Sequence, residues 1–522
     1  MATELERNLL RRFNVGDLLH RSSLRAPQGV ALRFEGEDIT YGALAELANR
    51  VGNALIARGV GPGDIVAFLG LNSPEFVATW FGAAGIGAVL LPLNAMLRGQ
   101  ELLQVLTRAH ARVLIVEEAL WPLFGADAAG LDAVPVRFFF GSSSTEVPPG
   151  FTPLREALAA ADMAFPTLAV ESESPCTLLF TSGTESAPKG VVNTHLNWHA
   201  ALLSALADLE LGRRQRPLLA LPLFHVAGLY VLLATIATGG TGVLLRRIEG
   251  KALLDTVERE RVSYLVLPAT AYLGLLQVPG IERRDLSSLR FCVAFQYLPG
   301  EALSRLRELV PQAEWIGYWG QSELTPLGAS TPPGEIFART ERPDPIGRAH
   351  LPLEVRVVDP DDRPVGPGVV GEIVVRGPSV MAGYFEDQSR TEDAFRGGWH
   401  HTGDLAATDA DGFLYFVDRV KDVIKTGGEN VSSQEVEEVI ARHPMVVEVS
   451  VIGIPDPYWV EAVAAVVVAR AEVTPEEIIA HCRDHLAPFK VPKVVHMAKD
   501  LPRSPSGKIL KRELRRTYGE VE

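Results

Sequence analysis

Continuous apolar runs bounded by turn residues recur through the first three hundred or so positions of the chain. The clearest of these runs cover residues 65–71, 113–116, 218–221, 264–267 and 291–294. A strand that is buried on both faces of a parallel sheet has this pattern. Between the runs, segments such as 41–58 place apolar side chains at helical spacing. Strands that alternate with helices in this way predict an α/β fold built in layers.

The pattern changes near Pro345. From there, glycine and proline separate strands of alternating apolar and polar residues, such as 353–358 and 371–376. This alternation predicts a β-rich subdomain. We therefore expect residues 1–417 to form a large N-terminal domain in which layered α/β subdomains are joined to the β-rich subdomain.

A third pattern occupies residues 418–522. Ser432 and Thr474 are each followed three residues later by glutamate, which is the signature of a capping box at the start of a helix. Apolar strands are predicted between these helices, at 446–452 and 462–468. The last part of the chain is therefore predicted to be a small α+β domain.

One long uncharged segment, residues 217–245, has to be weighed as a membrane span. It contains no Asp, Glu, Lys or Arg, but Pro222, Gly228 and the glycine-rich stretch 239–242 interrupt it. These breaks divide it into a strand, a helix and a second strand, each shorter than the roughly 20 residues that a span needs. We therefore expect no membrane span.

Composition narrows the possible partners and location. The chain has 522 residues, with 50 Lys and Arg against 64 Asp and Glu, so its formal net charge is −14. Such a chain repels polyanions, which argues against nucleic acid as a partner. Cys176, Cys292 and Cys482 are far apart and lack CxxC spacing, so neither a disulfide framework nor a thiolate zinc site is expected. With no secretory signal at the N-terminus, a reducing cytoplasmic location fits best.

The strongest local signal lies in residues 178–192. An apolar strand leads into a cluster of hydroxyl residues and glycine that ends at Lys189, after which apolar residues resume. Such a loop can point backbone N–H groups, hydroxyl oxygens and an ammonium group at one anion. It is not a Walker A loop, because Gly190 follows Lys189 where that motif requires Ser or Thr.

This loop resembles the phosphate loop of the adenylate-forming superfamily, which includes acyl-CoA synthetases, nonribosomal-peptide adenylation domains and luciferases. The superfamily pattern Thr-Ser-Gly-Thr-Thr-Gly-x-Pro-Lys-Gly matches residues 181–190, except that Glu185, Ser186 and Ala187 depart from it. The resemblance spans nearly the whole chain. It implies that the ATP phosphates are bound by Thr181, Ser182, Gly183, Thr184 and Lys189.

Further motifs of the superfamily follow in the expected order. Residues 319–323, Trp-Gly-Gln-Ser-Glu, are similar to its Tyr-Gly-x-Thr-Glu motif, and residues 402–404 match its Thr-Gly-Asp motif. By this resemblance Trp319 stacks on adenine and Ser322 binds the α-phosphate. Glu323, with Thr184, holds Mg²⁺. Asp404 binds the ribose hydroxyls, and Arg419 reaches the nucleotide oxygens.

The acyl pocket is less regular. Residues 221–228 match the segment that places an aromatic residue or histidine beside the acyl substrate, which makes His225 a gate at the carboxylate. The resemblance implies that Phe295, Gly317 and Tyr318 line the pocket. Relatives usually carry Gly-Gly-Ala-Pro where this chain has Ala-Phe-Gln-Tyr at 294–297. Phe295 should therefore reshape the acyl pocket, and Gln296 the adjoining nucleotide site.

The C-terminal motifs imply a mobile domain. The resemblance places the hinge at Asp418 and the adenylation lysine at Lys508. It assigns the thioester-forming step to a second face that carries Lys425, Gly427 and Gly428. Rotation of the domain about the hinge would exchange the two faces.

The resemblance implies that the chain uses ATP, Mg²⁺ and coenzyme A to convert an apolar carboxylic acid, fatty or bulky, into an acyl-adenylate and then an acyl-CoA, with AMP and pyrophosphate as the other products. One alternative is an acyl-AMP ligase that loads an acyl-carrier protein. Another is an inactive nucleotide-binding homologue, suggested by the departures at 185–187 and 295–296. A homodimer is a reasonable prior for such an enzyme.

Overall fold

The computed structural model describes residues 3–142, 146–181, 189–295, 298, 300–337, 345–426, 429–456, 459–503 and 508–519. The α-helices are α1 (Glu4–Arg11), α2 (Val15–Arg25), α3 (Tyr41–Ile56), α4 (Pro74–Gly85), α5 (Gln100–Arg108), α6 (Leu154–Ala159), α7 (His195–Ala207), α8 (Val226–Thr238), α9 (Gly250–Glu260), α10 (Ala269–Leu275), α11 (Gly300–Leu309), α12 (Gln388–Ala394), α13 (Ser433–Ala441), α14 (Pro475–Arg483) and α15 (Lys511–Tyr518).

The strands are β1 (Val30–Phe34), β2 (Glu37–Thr40), β3 (Ile65–Leu69), β4 (Val89–Pro92), β5 (Val113–Glu117), β6 (Val136–Phe140), β7 (Thr152–Pro153), β8 (Pro175–Thr181), β9 (Lys189–Thr194), β10 (Pro217–Leu219), β11 (Gly242–Leu244), β12 (Tyr264–Pro268), β13 (Phe291–Phe295), β14 (Glu314–Trp319), β15 (Ala329–Ser330), β16 (Pro345–Ala349), β17 (Glu354–Val358), β18 (Gly371–Arg376), β19 (Gly383–Tyr384), β20 (His400–Thr408), β21 (Leu414–Arg419), β22 (Ile424–Thr426), β23 (Glu429–Val431), β24 (Val446–Asp456), β25 (Val460–Ala469) and β26 (Val494–Met497).

Within the described residues these strands form three sheets. The largest has 13 strands in the order β17-β18-β20-β21-β16-β15-β14-β13-β12-β10-β11-β1-β2, and the second has eight in the order β19-β9-β8-β4-β3-β5-β6-β7. In the largest sheet, the neighbouring strands β14, β13, β12, β10, β11 and β1 pair parallel. The neighbouring strands β15, β16, β21, β20 and β18 pair antiparallel. The predicted layered α/β fold with an added β-rich subdomain is therefore confirmed.

The main core lies between the two large sheets. It joins side chains of β3 in the second sheet to side chains of β14 in the first, and α8 lies within it. Helix α8 is buried from Val226 to Ile236, as expected of a helix that is apolar on every side. The uncharged segment 217–245 thus forms β10, α8 and β11, as predicted. In the described part of the chain, no helix combines the length and apolar character needed to cross a bilayer.

The C-terminal part folds around its own sheet, with the order β23-β22-β25-β24 and β26 paired to β25. Both predicted helix starts are confirmed. Thr474 and Glu477 form a complete capping box at α14. At α13 the Ser432 hydroxyl accepts from the Glu435 N–H, but the Glu435 carboxylate pairs instead with Lys490 Nζ at 2.6 Å. The capping box predicted at α13 is therefore only half formed, because a lysine distant in sequence takes the glutamate.

Val460 carries backbone strain at the start of β25. Its φ is +72°, a conformation that costs a residue with a side chain about 1–2 kcal/mol. The side chain is 72 % exposed, so little packing offsets that cost. We predict that Val460→Gly stabilises the protein by about 1 kcal/mol, measured by chemical denaturation. Val447→Gly, at another exposed valine in a strand, should instead destabilise it; equal destabilisation by both variants would contradict the strain argument.

Candidate active site

The predicted phosphate loop joins two paired strands. Strands β8 and β9 are antiparallel, with Phe180 opposite Gly190 and Thr181 opposite Lys189. Ser182, Gly183 and Thr184 lie outside the described residues, as does the side chain of Thr181, so their predicted roles stay predictions. Lys189 opens β9, and its Nζ lies 5.4 Å from the centre of the Tyr384 ring.

A short turn presents Ser322 and Glu323 beside this hairpin. Strand β14 ends at Trp319, and residues Ser322–Leu324 form a 3₁₀ turn that closes at Thr325, whose φ is +59°. The chain before the turn passes so close to itself that a Cβ at Gly320 would lie 1.7 Å from the Pro326 carbonyl oxygen. Only glycine fits at that point of the motif.

Asn193 ties the turn to the hairpin. Its side-chain amide donates to the Ser322 carbonyl oxygen at 3.1 Å and to Thr325 Oγ1 at 2.9 Å. The Thr325 hydroxyl in turn donates to the Ser379 carbonyl oxygen at 2.7 Å. Asn193 and Thr325 are fully buried. Asn193 was not among the predicted residues, although an amide within an apolar strand indicates that it has a buried partner.

Glu323 is half-buried and accepts a hydrogen bond at Oε1 from the Tyr384 hydroxyl, at 3.0 Å. A carboxylate oxygen is the kind of ligand that Mg²⁺ prefers. In the described chain no group of three or more His, Cys, Asp and Glu side chains could hold a metal ion. Glu323 therefore fits a magnesium ion whose other ligands are phosphate oxygens and water, which is how Mg²⁺ is commonly bound at nucleotides.

Asp404 contacts the indole ring of Trp319, the residue that ends β14. The Trp319 indole donates from Nε1 to Asp404 Oδ2 at 2.9 Å, and Arg419 Nε is 3.5 Å from Asp404 Oδ1. Asp404 and Arg419 are also paired across β20 and β21. The Gln321 amide adds a longer contact to Asp404 Oδ2, at 3.4 Å. The structure thus joins three of the predicted nucleotide-binding residues, with Trp319 holding the carboxylate assigned to the ribose.

Lys508 belongs to this same group of side chains. The residue keeps solvent access, yet the protein around its ammonium group lowers its pKa to about 8. Desolvation is the largest cause and the positive charge of Arg419 the second, while the carboxylates of Asp404 and Glu323 oppose the shift. Desolvation, Arg419 and Lys189 likewise lower the pKa of Lys421. Cations that lie close enough to lower one another's pKa form a site suited to a polyanion.

His225 caps the N-terminus of α8. Its Nδ1 accepts from the Ala227 N–H at 3.2 Å, and burial, followed by the charge of Lys508, lowers its pKa to about 4. The imidazole is therefore neutral at physiological pH, with its proton on Nε2. Asn72, which the sequence analysis also missed, fixes the preceding segment by accepting from the Leu223 N–H at 2.8 Å.

The predicted acyl-pocket residues are only partly together. The Phe295 and Tyr318 rings are 5.4 Å apart, and Tyr230 of α8, which the sequence analysis did not identify, stands edge-on to Tyr318 at 5.9 Å. Gly317 points the other way, since a Cβ there would meet Ile336 at 3.1 Å. Consecutive residues of a strand face opposite sides of the sheet, so only backbone atoms of Gly317 could reach the Tyr318 side, and its assignment to the pocket stays a prediction. Gln296 lies outside the described residues.

The predicted hinge residue makes a buried contact between β21 and α13. Asp418 Oδ2 accepts from the backbone N–H of Ser433 at 2.7 Å and from its hydroxyl at 2.8 Å. Lys425, assigned to the thioester step, lies on β22 with an exposed side chain. Gly427 and Gly428 are outside the described residues. Because Asp418 still pairs with Leu405 in the large sheet, the boundary between residues 417 and 418 stays a prediction.

Comparison with known proteins agrees with this geometry. The chain is 37 % identical over 517 residues to a feruloyl-CoA synthase of Amycolatopsis sp, covering 98 % of this chain and 100 % of that protein. It is 33 % identical to the long-chain-fatty-acid–CoA ligase FadD13 of Mycobacterium tuberculosis, covering 97 % and 98 %. The crystal structure of the anthranilate CoA ligase AuaEII with anthranoyl-AMP superimposes with a TM-score of 0.89 at 28 % identity, over 97 % of each chain.

Family assignment follows from the extent of the match. Residues 19–385 match the family described as AMP-binding enzyme, and residues 435–508 match its C-terminal domain. The motifs that resembled the adenylate-forming superfamily lie within or beside these two segments. The chain therefore belongs to the AMP-binding enzymes of the adenylate-forming superfamily, the group that contains the AMP-forming acyl-CoA synthetases.

Proposed function

We propose that the chain activates an apolar carboxylic acid, fatty or bulky, with ATP and transfers the acyl group to the thiol of coenzyme A. The observation that carries the proposal is the position of Lys508. This lysine comes from the last part of the chain, yet its ammonium responds to Glu323 and Asp404 and in turn lowers the pKa of His225. Electrostatic interactions thus link Lys508 to groups suited to metal, ribose and carboxylate.

In the first step a carboxylate oxygen of the acid attacks the α-phosphorus of ATP, forming the acyl-adenylate and releasing pyrophosphate. Negative charge builds on the phosphoryl oxygens, and preorganised cations directed at that charge are usually the largest catalytic contribution. Lys508, Lys189 and Arg419 supply those cations. Mg²⁺, held by Glu323 and, by the resemblance, Thr184, would neutralise further phosphate charge when bound.

His225 orients the acid. Its Nδ1 accepts the Ala227 N–H, so Nε2 carries the proton and is the donor. A neutral donor can hydrogen-bond one carboxylate oxygen without forming an ion pair that would weaken the nucleophile. Phe295, Tyr318 and Tyr230 bring three aromatic rings together beyond it, which favours a flat, bulky acyl group. The similarity to a feruloyl-CoA synthase supports the same choice.

In the second step the thiol of coenzyme A attacks the acyl carbon and AMP leaves. A free thiol has a pKa near 8.5, so positioning of the thiol and exclusion of water matter more than a strong base. We propose that the C-terminal domain rotates about Asp418 between the steps. This motion would replace Lys508 with the face that carries Lys425, Gly427 and Gly428.

The proposal is tested by mass spectrometry after incubation with ATP, Mg²⁺ and a panel of fatty, aromatic and polycyclic acids, with and without coenzyme A. We expect acyl-CoA and AMP together, only when coenzyme A is present. An acyl-adenylate that accumulates regardless of coenzyme A would point to a carrier-protein acceptor. Absence of AMP with every acid would contradict the enzyme assignment.

Lys508→Ala separates the two steps. We predict that it slows adenylation by at least about 100-fold, as expected when a preorganised charge donor is lost from a transition state, and leaves the conversion of supplied acyl-adenylate to thioester nearly unchanged. Pyrophosphate release and thioester formation are measured separately. Lys499→Ala, at an exposed lysine on the same domain, is the control and should affect neither. Equal loss of both steps in Lys508→Ala would rule out the two-face assignment.

The pKa of Lys508 predicts a pH limit on the first step. The ammonium must keep its proton to stabilise phosphate charge, and its pKa is lowered to about 8. The value of kcat/KM for ATP, followed by pyrophosphate release without coenzyme A, should therefore fall as the pH rises through about 8. In Lys508→Arg the side chain stays charged throughout, so kcat/KM of this variant should not change over that pH range, whatever its absolute value. The same decline in both proteins would assign it to another group.

A further inference from the structure

Tyr384 lies in a two-residue strand that bridges the two sides of the site. Strand β19 pairs with β9 just after the phosphate loop, with Tyr384 opposite Val191. The Phe385 N–H donates to the Gly190 carbonyl oxygen at 2.7 Å, and the Met381 N–H donates to the Glu323 carbonyl oxygen at 2.8 Å. The backbone around Tyr384 is therefore fixed to the phosphate-loop hairpin and to the Glu323 turn together.

The Tyr384 side chain makes the same connection a second time. Its hydroxyl donates to Glu323 Oε1 at 3.0 Å, and Lys189 Nζ lies over its ring at 5.4 Å. A hydroxyl bonded to a carboxylate and an ammonium over an aromatic face are both favourable contacts. One phenol thus holds the acid assigned to the metal and the lysine assigned to the phosphates.

Separation of these two charges matters chemically. A direct ion pair between Lys189 and Glu323 would neutralise the groups that must bind phosphate and metal. The ion pairs found among the described residues do not include this one, and the Tyr384 ring occupies the space beside both groups. A phenol is protonated at neutral pH, so the Tyr384 hydroxyl is a donor to Oε1.

We propose that Tyr384 is a positioning residue that keeps Glu323 and Lys189 apart, engaging one carboxylate oxygen and leaving the other for the divalent cation that accompanies ATP. The inference rests on the proposed function, because it concerns the same nucleotide site. It differs from the roles implied by the resemblance, which assigns nothing to Tyr384.

Calorimetric titration of ATP into the full-length protein, with Mg²⁺ and separately with EDTA, tests the inference without measuring turnover. Tyr384→Phe keeps the ring over Lys189 and removes the bond to Glu323. It should weaken ATP binding in Mg²⁺ by roughly tenfold, the loss expected for a hydrogen bond to a charged group, and raise the Mg²⁺ concentration that half-saturates this binding. Its affinity for ATP in EDTA should match the wild type.

Two further variants complete the test. Tyr384→Leu also removes the ring, so Lys189 can pair with Glu323, and ATP binding should weaken in EDTA as well. Tyr415→Phe removes a tyrosine hydroxyl that donates to a carboxylate elsewhere, Asp409 Oδ2 at 3.2 Å, and should leave both affinities unchanged. Thermal unfolding of each variant checks that it is folded.

The outcomes separate this inference from the function on which it rests. Wild-type protein that binds no ATP would contradict the proposed function and the inference together. Wild-type binding with an unaltered Mg²⁺ requirement in Tyr384→Phe would overturn the inference alone. Weaker binding of equal size in Mg²⁺ and EDTA for Tyr384→Phe would also overturn it, since that pattern indicates a general structural role.

Discussion

The side-chain amide of Asn193 donates to the backbone of the Glu323 turn and to the Thr325 hydroxyl that closes it. Both partners come from a stretch more than a hundred residues further along the chain, beyond the parallel strands of the large sheet. Without these bonds a buried amide would lose its partners, which costs about 1–3 kcal/mol, and Thr325 would lose a support for its left-handed backbone. Asn193 thus fixes the phosphate-loop hairpin against the Glu323 turn, together with the backbone bonds that the segment around Tyr384 makes to both.

Charged side chains lie around the hairpin and the turn that Asn193 connects. The chain as a whole is acidic, with a net charge of −14, yet Lys189, Arg419, Lys421 and Lys508 gather near Asp404 and Glu323. Burial, and after it the repulsion between these cations, lowers the pKa of Lys508 and of Lys421. A bound triphosphate would relieve this repulsion, so the free site is organised for a polyanion before one arrives. Such preorganisation is what lets fixed charges lower a reaction barrier.

The sequence predicted the layers of the fold and the residues that lie in recognisable motifs. Apolar runs identified the parallel strands, and Trp319, Glu323, Asp404 and Lys508 do lie in one group. Asn193 and Tyr384 were not identified, because a polar or aromatic residue in a strand does not indicate which residue, distant in sequence, it contacts.

Acid-dependent exchange of labelled pyrophosphate into ATP tests the central claim most directly, because it reports reversible formation of an acyl-adenylate and needs no coenzyme A. The arrangement of Lys508, Glu323, Asp404 and His225 predicts exchange that requires Mg²⁺ and an accepted carboxylic acid and proceeds without any thiol. No exchange with acids that the protein demonstrably binds, or exchange at the same rate when the acid is omitted, would contradict it.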